Sequence, residues 1–147
     1  VKLARHSIGS VIIPDSIKLR LNNKVSDPLV NLDYDQMTQV FANLLKNAVD
    51  AMPGQGEIDF DLVDNHDQLI VSITDNGTGI PPENMDKLFT PFFTTKGPGK
   101  GTGLGLPIIY GIVKMHKGDI SVKSNIDPAK GPTGTTFTIT IPRNRLV

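Results

Sequence analysis

The stretch 33-DYDQMTQVFANLLKNAVDAM-52 decides the fold class of this chain. It opens on Asp33, with Gln36 three residues later, which is the pairing of a helix-capping box. Apolar residues then recur at spacings of three and four, the period of an amphipathic helix, at Met37, Val40, Phe41, Leu44, Leu45, Ala48, Val49 and Met52. Pro53 and Gly54 end the pattern. The stretch therefore predicts one long helix with a buried stripe.

Alternating segments, typical of strands, surround this helix. They are SIKLRL (16–21), LVNLD (29–33), EIDFDLV (57–63), QLIVSIT (68–74), DISVKSN (119–125) and TTFTITIP (135–142). Two more helices are predicted, one in 81–89 and one from Gly105 to about Lys117, with Gly118 as the residue that follows the helix end. The combination predicts an α/β fold: a two-layer sandwich with a mostly antiparallel sheet and about three helices on one face.

Composition narrows the class of protein. The chain has 147 residues, which suits one domain, and its 15 basic and 15 acidic residues give a net charge of zero. That balance gives no electrostatic reason to propose a nucleic-acid or anionic-membrane surface. Cysteine is absent, which excludes disulfides and thiolate metal sites and fits a reducing, cytoplasmic compartment. The chain begins with Val1, so we expect a piece of a longer protein.

The segment FFTTKGPGKGTGLGLPII (92–109) has glycine at every second position from Gly97 to Gly105. Its spacing fits neither a Walker A loop nor a dinucleotide-binding fingerprint. It predicts a mobile loop that leads into a helix N-terminus, where free N–H groups and the helix dipole favour an anion. An ordinary surface loop is the alternative.

Two groups of polar residues could carry chemistry. Asp75 continues the parity of Val71 and Ile73, so it points inward at a strand end, where it needs a donor such as the exocyclic amine of adenine. The alternative is an Asx-turn acid in the DNG sequence. Asn43 and Asn47, with Asp50 one turn on, form an oxygen-rich stripe beside the core that suits Mg²⁺, or else an ordinary solvated helix flank.

The phenylalanine-rich segment FTPFFTTK (89–96) precedes the glycine loop. Phe89, Phe92 and Phe93 could anchor the ends of a lid, and Lys96 could then meet a phosphate. Core packing of the aromatic rings is the alternative.

Five motifs resemble, in order, the conserved boxes of the catalytic ATP-binding domain of sensor histidine kinases. These boxes are the asparagine, first glycine, phenylalanine, second glycine and final boxes. In this chain they read QVFANLLKNAVDA, DNGTGI, FTPFFTTK, GTGLGL and GTTFTI. That family belongs with gyrase B, the heat-shock chaperone ATPases and the MutL proteins. The resemblance runs from about residue 16 to 142 and is nearest to the nitrogen-regulation and oxygen-sensing kinases. It implies the Bergerat ATP-binding fold over residues 16–147. Residues 1–15 would lead from a missing dimerisation domain.

The resemblance also implies roles for individual residues. Asp75 would bind the adenine amine, with Gly77, Gly79 and Ile80 beside the base and Thr135 acting through a water. Asn47 would coordinate Mg²⁺, with Asp50 nearby, and Asn43 would lie near the phosphates. The lid and the triphosphate-binding loop would comprise Thr94, Thr95, Lys96, Gly101, Thr102, Gly103, Leu104, Gly105 and Leu106.

One position departs from the wider group and bears on the reaction. The hydrolytic ATPases place a glutamate base four residues before the metal asparagine, where this chain has Asn43. An amide cannot take a proton from water, so we expect slow hydrolysis and transfer of the γ-phosphoryl group instead, with Asn43 and Lys96 at the reacting end. The alternatives are an ATPase of this wider group, a nucleotide-binding regulatory module without transfer, and a more distant serine kinase type.

The expected partners follow from the same resemblance. The phosphoryl acceptor would be a histidine on the dimerisation domain of the parent protein, and a response regulator would then receive the group. None of the three histidines has the setting of such an acceptor: His6 is followed by Ser7, His66 sits in the predicted hairpin turn, and His116 falls at a helix end. This piece alone is therefore expected to bind ATP without phosphorylating itself. We expect no direct membrane contact by this domain, although the parent protein could be membrane-anchored.

Overall fold

The computed structural model describes residues 2–26, 32–65, 67–90 and 105–143. Within these ranges it contains four α-helices and five strands. In chain order they are α1 (Lys2–Gly9), β1 (Ile17–Lys24), α2 (Tyr34–Asp50), β2 (Gly56–Asp64), β3 (Gln68–Asp75), α3 (Pro82–Met85), α4 (Gly105–Met115), β4 (Asp119–Asn125) and β5 (Gly134–Pro142). No helix in these ranges is both long and apolar enough to cross a membrane.

The five strands form one open sheet in the order β1-β2-β3-β5-β4. β1 and β2 pair in parallel, whereas the other three pairings are antiparallel. Helices α2 and α4 contact the sheet and each other, and α1 packs on α2. The predicted α/β class with a mostly antiparallel sheet is therefore confirmed, with the parallel β1–β2 pair as a detail that the sequence analysis did not specify.

The two faces of the sheet have opposite character. The inner face and α2 share one apolar core, which includes the fully buried Leu45, Ile58, Phe60 and Ile139. The outer face carries paired polar side chains, such as the Thr74 and Thr136 hydroxyls 3.0 Å apart. This division gives every strand residue a defined side, so a polar residue on the inner face stands out.

Helix α2 begins and ends close to its predicted bounds. Asp33 is its N-cap and accepts a hydrogen bond from the Gln36 backbone N–H at 2.9 Å, as the capping pattern predicted. The helix ends at Asp50, just before Pro53 and Gly54. The strand predicted in LVNLD is wrong at its last two residues, which lie outside any strand; its residues 29–31 fall outside the described ranges.

Two other local features differ from the sequence analysis. The first residues showed no clear period, yet they form α1, which buries Ala4 and Ser7 against α2. The Ser7 hydroxyl donates to the Leu3 carbonyl within that helix at 2.9 Å. The residue in the left-handed region after α4 is Lys117, with φ +59°, and not Gly118. A Cβ on Gly118 would press on the Thr140 carbonyl of β5, so close packing explains that glycine.

Candidate functional site

Asp75 lies at the end of β3 on the inner face, with 7% of its surface exposed. Its Oδ1 accepts hydrogen bonds from the backbone N–H groups of Gly77 at 2.9 Å and Thr135 at 3.3 Å. The first bond closes an Asx turn, and the second comes from the neighbouring strand β5. The predicted inward orientation is thus confirmed. The turn geometry offered as the alternative is present as well, because one oxygen serves both the turn and the sheet.

The second oxygen of Asp75, Oδ2, accepts no hydrogen bond from the residues that the structure describes. Burial raises the pKa of the Asp75 carboxyl above its ordinary value, and the N–H groups of Gly77 and Thr135 only partly offset that rise. A buried carboxylate with an oxygen to spare gains from a donor group brought by a ligand.

A row of polar residues crosses the sheet at this level. The strand register places Asp75 opposite Thr135 and Thr135 opposite Ser124. The Ser124 Oγ lies 2.8 Å from the Thr135 Oγ1, accepts the Ile80 backbone N–H at 2.7 Å and donates to the Gly134 carbonyl at 2.9 Å. Ser124 was not predicted from the sequence, because its place beside Thr135 depends on the register between β4 and β5.

The loop after β3 is seated against two backbone segments. A Cβ on Gly77 would collide with the Ala51 carbonyl at the end of α2, and the Thr78 N–H donates to that same carbonyl at 3.3 Å. Gly79 has φ +83°, a conformation that favours glycine, and a Cβ there would collide with the Asn125 carbonyl. Both glycines therefore let the loop approach the protein itself closely, whatever space they also leave for a ligand.

The candidate metal and phosphate residues of α2 lie near this loop along the helix. Ala51, which touches the loop, donates its N–H to the Asn47 carbonyl at 3.1 Å, so Asn47 sits in the last turn of α2. Asn43 is one turn further back; both asparagines are half-buried, whereas Asp50 is exposed. The structure thus brings the Asn47 turn and the Asp75 loop to the same end of the sheet.

The lid and glycine-loop residues fall mostly outside the described ranges. These are Phe92, Phe93, Thr94, Thr95, Lys96, Gly101, Thr102, Gly103 and Leu104. Gly105 and Leu106 are described, and they form the predicted first residues of α4. Phe89 packs its ring 5.3 Å from that of Tyr110 on α4 and also lies against the core, which agrees with the packing role considered for it.

A depression of about 340 Å³ also opens at this end of the sheet, mainly on the outer face. Thr74, Thr136, Asp59 and Lys123 contribute to its lining. Thr74 and Thr136 precede and follow the inward-facing Asp75 and Thr135, so their side chains point to the opposite side. Asp75, Ser124 and Thr135 also line this depression, so it borders the candidate site, which we place on the α2 side of Asp75.

Comparison with known proteins agrees with this arrangement. The family described as "Histidine kinase-, DNA gyrase B-, and HSP90-like ATPase" matches residues 32–145. Sporulation kinase A of Bacillus subtilis is 38% identical over 88% of this chain, and the sensor histidine kinase ZraS of Escherichia coli is 38% identical over 87%. The chain spans 20% and 26% of the lengths of these two relatives.

Solved structures resemble the chain over nearly its whole length. The nucleotide-free catalytic domain of histidine kinase ThkA aligns with a TM-score of 0.80 at 31% identity, covering 97% of this chain and 92% of that one. ThkA in complex with the response regulator protein TrrA aligns over 87% of this chain and 34% of that one, with a TM-score of 0.70 at 30% identity.

The family match includes α2, the Asp75 loop and the Thr135 strand. It thus covers every described residue to which the resemblance gave a role. The likeness to the nitrogen-regulation subtype stays a prediction. The chain belongs to the histidine kinase-, DNA gyrase B- and HSP90-like ATPase family, and within it to the catalytic domains of sensor histidine kinases.

Proposed function

We propose that this domain binds ATP with Mg²⁺ and transfers the γ-phosphoryl group to a histidine on a dimerisation domain of the parent protein. The observation that carries the nucleotide part is the buried Asp75, whose Oδ2 is left to accept from a ligand. The catalytic ATP-binding domain would correspond to residues 16–147, and residues 1–15 would connect it to the dimerisation domain. The transfer step is inferred from the family, because the chain spans only part of its relatives.

The adenine end of the site is built from groups that the structure describes. Ionised Asp75 accepts from the exocyclic amine, while its other oxygen is held in place by Gly77 and Thr135. A hydrogen bond to a charged acceptor is worth about 1.5–3 kcal/mol, more than a neutral pair would supply. Gly79 and Ile80 complete the wall of the loop on this side, with Thr135 on the neighbouring strand.

The phosphate end depends on α2, on the lid and on the first turn of α4. The Asn47 side-chain oxygen is a hard ligand that suits Mg²⁺, which binds few protein groups and keeps water and phosphate oxygens in its shell. Asn43 and Asp50 flank it by one turn on either side. The free N–H groups at the start of α4, from Gly105 and Leu106, favour a phosphate there.

The lid residues join these groups in the proposal. Thr94, Thr95 and Lys96 would close over the phosphates, and Gly101, Thr102, Gly103 and Leu104 would wrap them through their backbone. Bound Mg²⁺ neutralises charge on the transferred phosphoryl group. The amide of Asn43 cannot act as a general base toward water, so hydrolysis is slow and a better nucleophile is needed.

That nucleophile belongs to another domain. His116 is held between two helices, with its Nε2 accepting the Asp33 N–H at 2.9 Å and its Nδ1 2.8 Å from the Ile112 carbonyl. His6 packs edge-on against Tyr34, with ring centroids 5.6 Å apart. His66 falls outside the described residues. We infer that the acceptor histidine lies on the dimerisation domain, and that a response regulator aspartate receives the group next; the ThkA complex with TrrA supports such a partner.

A paired assay tests this function. Phosphate release from ATP by the domain alone is expected to be slow, whereas a histidine-bearing dimerisation domain supplied in trans is expected to become labelled from γ-labelled ATP. Fast steady-state phosphate release would instead place the domain with the hydrolytic ATPases. Tight ATP binding with no transfer to any cognate dimerisation domain would favour a nucleotide-binding regulatory module.

A further inference from the structure

Ser124 is the one hydroxyl in the row with Asp75 and Thr135 to which the proposed function gives no role. It lies on β4, opposite Thr135 in the strand register. Its Oγ makes three short contacts: 2.7 Å to the Ile80 nitrogen, 2.9 Å to the Gly134 oxygen and 2.8 Å to the Thr135 Oγ1. A serine hydroxyl has one proton to donate and two lone pairs that accept, so these contacts use all of its capacity.

Only one assignment of the two hydroxyl protons satisfies all three contacts. The Ile80 N–H can only donate, so Ser124 accepts there. The Gly134 carbonyl can only accept, so the proton of Ser124 goes to it. No proton of Ser124 is then left for Thr135, and the Thr135 hydroxyl must donate to Ser124.

The direction of the Thr135 hydroxyl changes what the pocket presents. With its proton committed to Ser124, Thr135 offers lone pairs alone to a ligand or a bridging water. Asp75, paired with it across the sheet, offers a carboxylate oxygen. Both groups are therefore acceptors, and they favour a base whose 6-position carries a hydrogen-bond donor.

We infer that Ser124 is a positioning residue that sets base specificity: by fixing the Thr135 hydroxyl as an acceptor, it makes the pocket select a 6-amino purine over a 6-oxo purine. Ser124 also holds the Ile80 N–H, so it joins the Asp75 loop to β4. The inference rests on the proposed adenine role of Asp75. It goes beyond that role, because a carboxylate alone would leave a rotating Thr135 able to donate to a 6-oxo group.

The test compares the affinities of ATP and inosine triphosphate, which replaces the 6-amino group with a 6-oxo group, by calorimetric titration. Wild type is expected to prefer ATP by about 100-fold, since a 6-oxo group faces two acceptors. Ser124→Ala releases the Thr135 hydroxyl, and the preference is expected to fall roughly tenfold. Ser124→Thr retains a hydroxyl and is expected to restore it.

Ser72→Ala is the matched control. Like Ser124, Ser72 contacts a threonine on the neighbouring strand, with its hydroxyl 3.4 Å from that of Thr138, but this pair lies on the outer face of the sheet. Ser72→Ala should therefore leave the preference for ATP over inosine triphosphate unchanged. A purely structural role for Ser124 would weaken both nucleotides equally, and an unchanged ratio in Ser124→Ala would overturn the inference.

A second variant covers the case in which Ser124→Ala does not fold, as judged by its thermal melt. Thr135→Val removes the acceptor itself and should also narrow the preference; an unchanged ratio there contradicts the inference. The proposed function fails separately, if wild type binds neither nucleotide or if Asp75→Asn binds ATP as tightly as wild type does.

Discussion

Thr135 donates its backbone N–H to Asp75 Oδ1 across the β3–β5 pair, onto the same oxygen that the Gly77 N–H reaches. Two donors thus fix the carboxyl plane and leave the other oxygen for a ligand. The arrangement is buried, and burial raises the pKa of Asp75. A hydrogen-bond donor on a ligand would offset the free-energy cost of burying this carboxylate. The empty site therefore destabilises the fold, and the same carboxylate makes the filled site selective.

Asp75→Asn is expected to preserve the fold. The amide oxygen can still accept from Gly77 and Thr135, and the variant no longer buries a charge. We expect its free energy of unfolding at pH 7 to equal or exceed that of wild type, or to fall short by less than about 1 kcal/mol. Urea denaturation followed by circular dichroism measures it. A loss of more than about 2 kcal/mol would show that the ionised carboxylate stabilises the empty domain.

The pH dependence of that difference has a definite sign. The pKa of Asp75 is raised in the folded state above its ordinary value of 3.8, so the folded protein resists ionisation more than the unfolded chain does. Wild type therefore loses stability, relative to Asp75→Asn, as the pH rises from 3.8 through the raised pKa. Denaturation of both proteins between pH 4 and pH 7 should show this gap widening in favour of Asn, and a gap that closes with rising pH would contradict it.

Gly134 lies next to the site and is expected to tolerate no side chain. It has φ +139°, and a Cβ there would overlap the Asp75 carbonyl. Gly131 is a matched control, because its φ is +132° and a Cβ would meet nothing within 4 Å. Backbone strain should cost either alanine variant about 1–3 kcal/mol of unfolding free energy. Overpacking should add about 1–3 kcal/mol for Gly134→Ala alone. Equal losses in urea denaturation would rule out the steric account.

Two aspartates of β2 should differ sharply in their importance for stability. Asp64 pairs with Arg143, and their side chains are 4% and 2% exposed. Removing one partner of a buried pair costs about 3–5 kcal/mol, so Asp64→Asn should unfold far more easily. Asp59 pairs with Arg20 on the outer face, where their side chains are 34% and 48% exposed, and Asp59→Asn should change little. Similar denaturation midpoints for the two variants would contradict this contrast.

The parts of the site that the sequence revealed are those set by local periodicity. Strand parity placed Asp75 inward, and the capping pattern placed the start of α2, because both depend on neighbours within a few residues. Ser124 escaped prediction because its partners lie ten or more residues away, on β5 and in the Asp75 loop. Its contact with Thr135 follows only once the β4–β5 register is known.

The missed helix α1 has a similar cause. Its eight residues fully bury only Ala4 and Ser7, with Leu3 and Ile8 partly buried against the core, so its apolar stripe is too short to stand out in the sequence. The helix is stabilised by packing on α2, a contact between segments far apart in the chain. The same reasoning explains Gly118, where the deciding neighbour is the Thr140 carbonyl of a later strand.

The most direct test of the account is a calorimetric titration of the domain with ATP, with and without Mg²⁺, alongside Asp75→Asn. The account predicts that wild type binds with roughly micromolar to sub-millimolar affinity, about −5 to −8 kcal/mol, and that the folded variant shows no binding. No ATP binding by wild type, or unchanged binding by Asp75→Asn, would contradict the claim that Asp75 holds the adenine base.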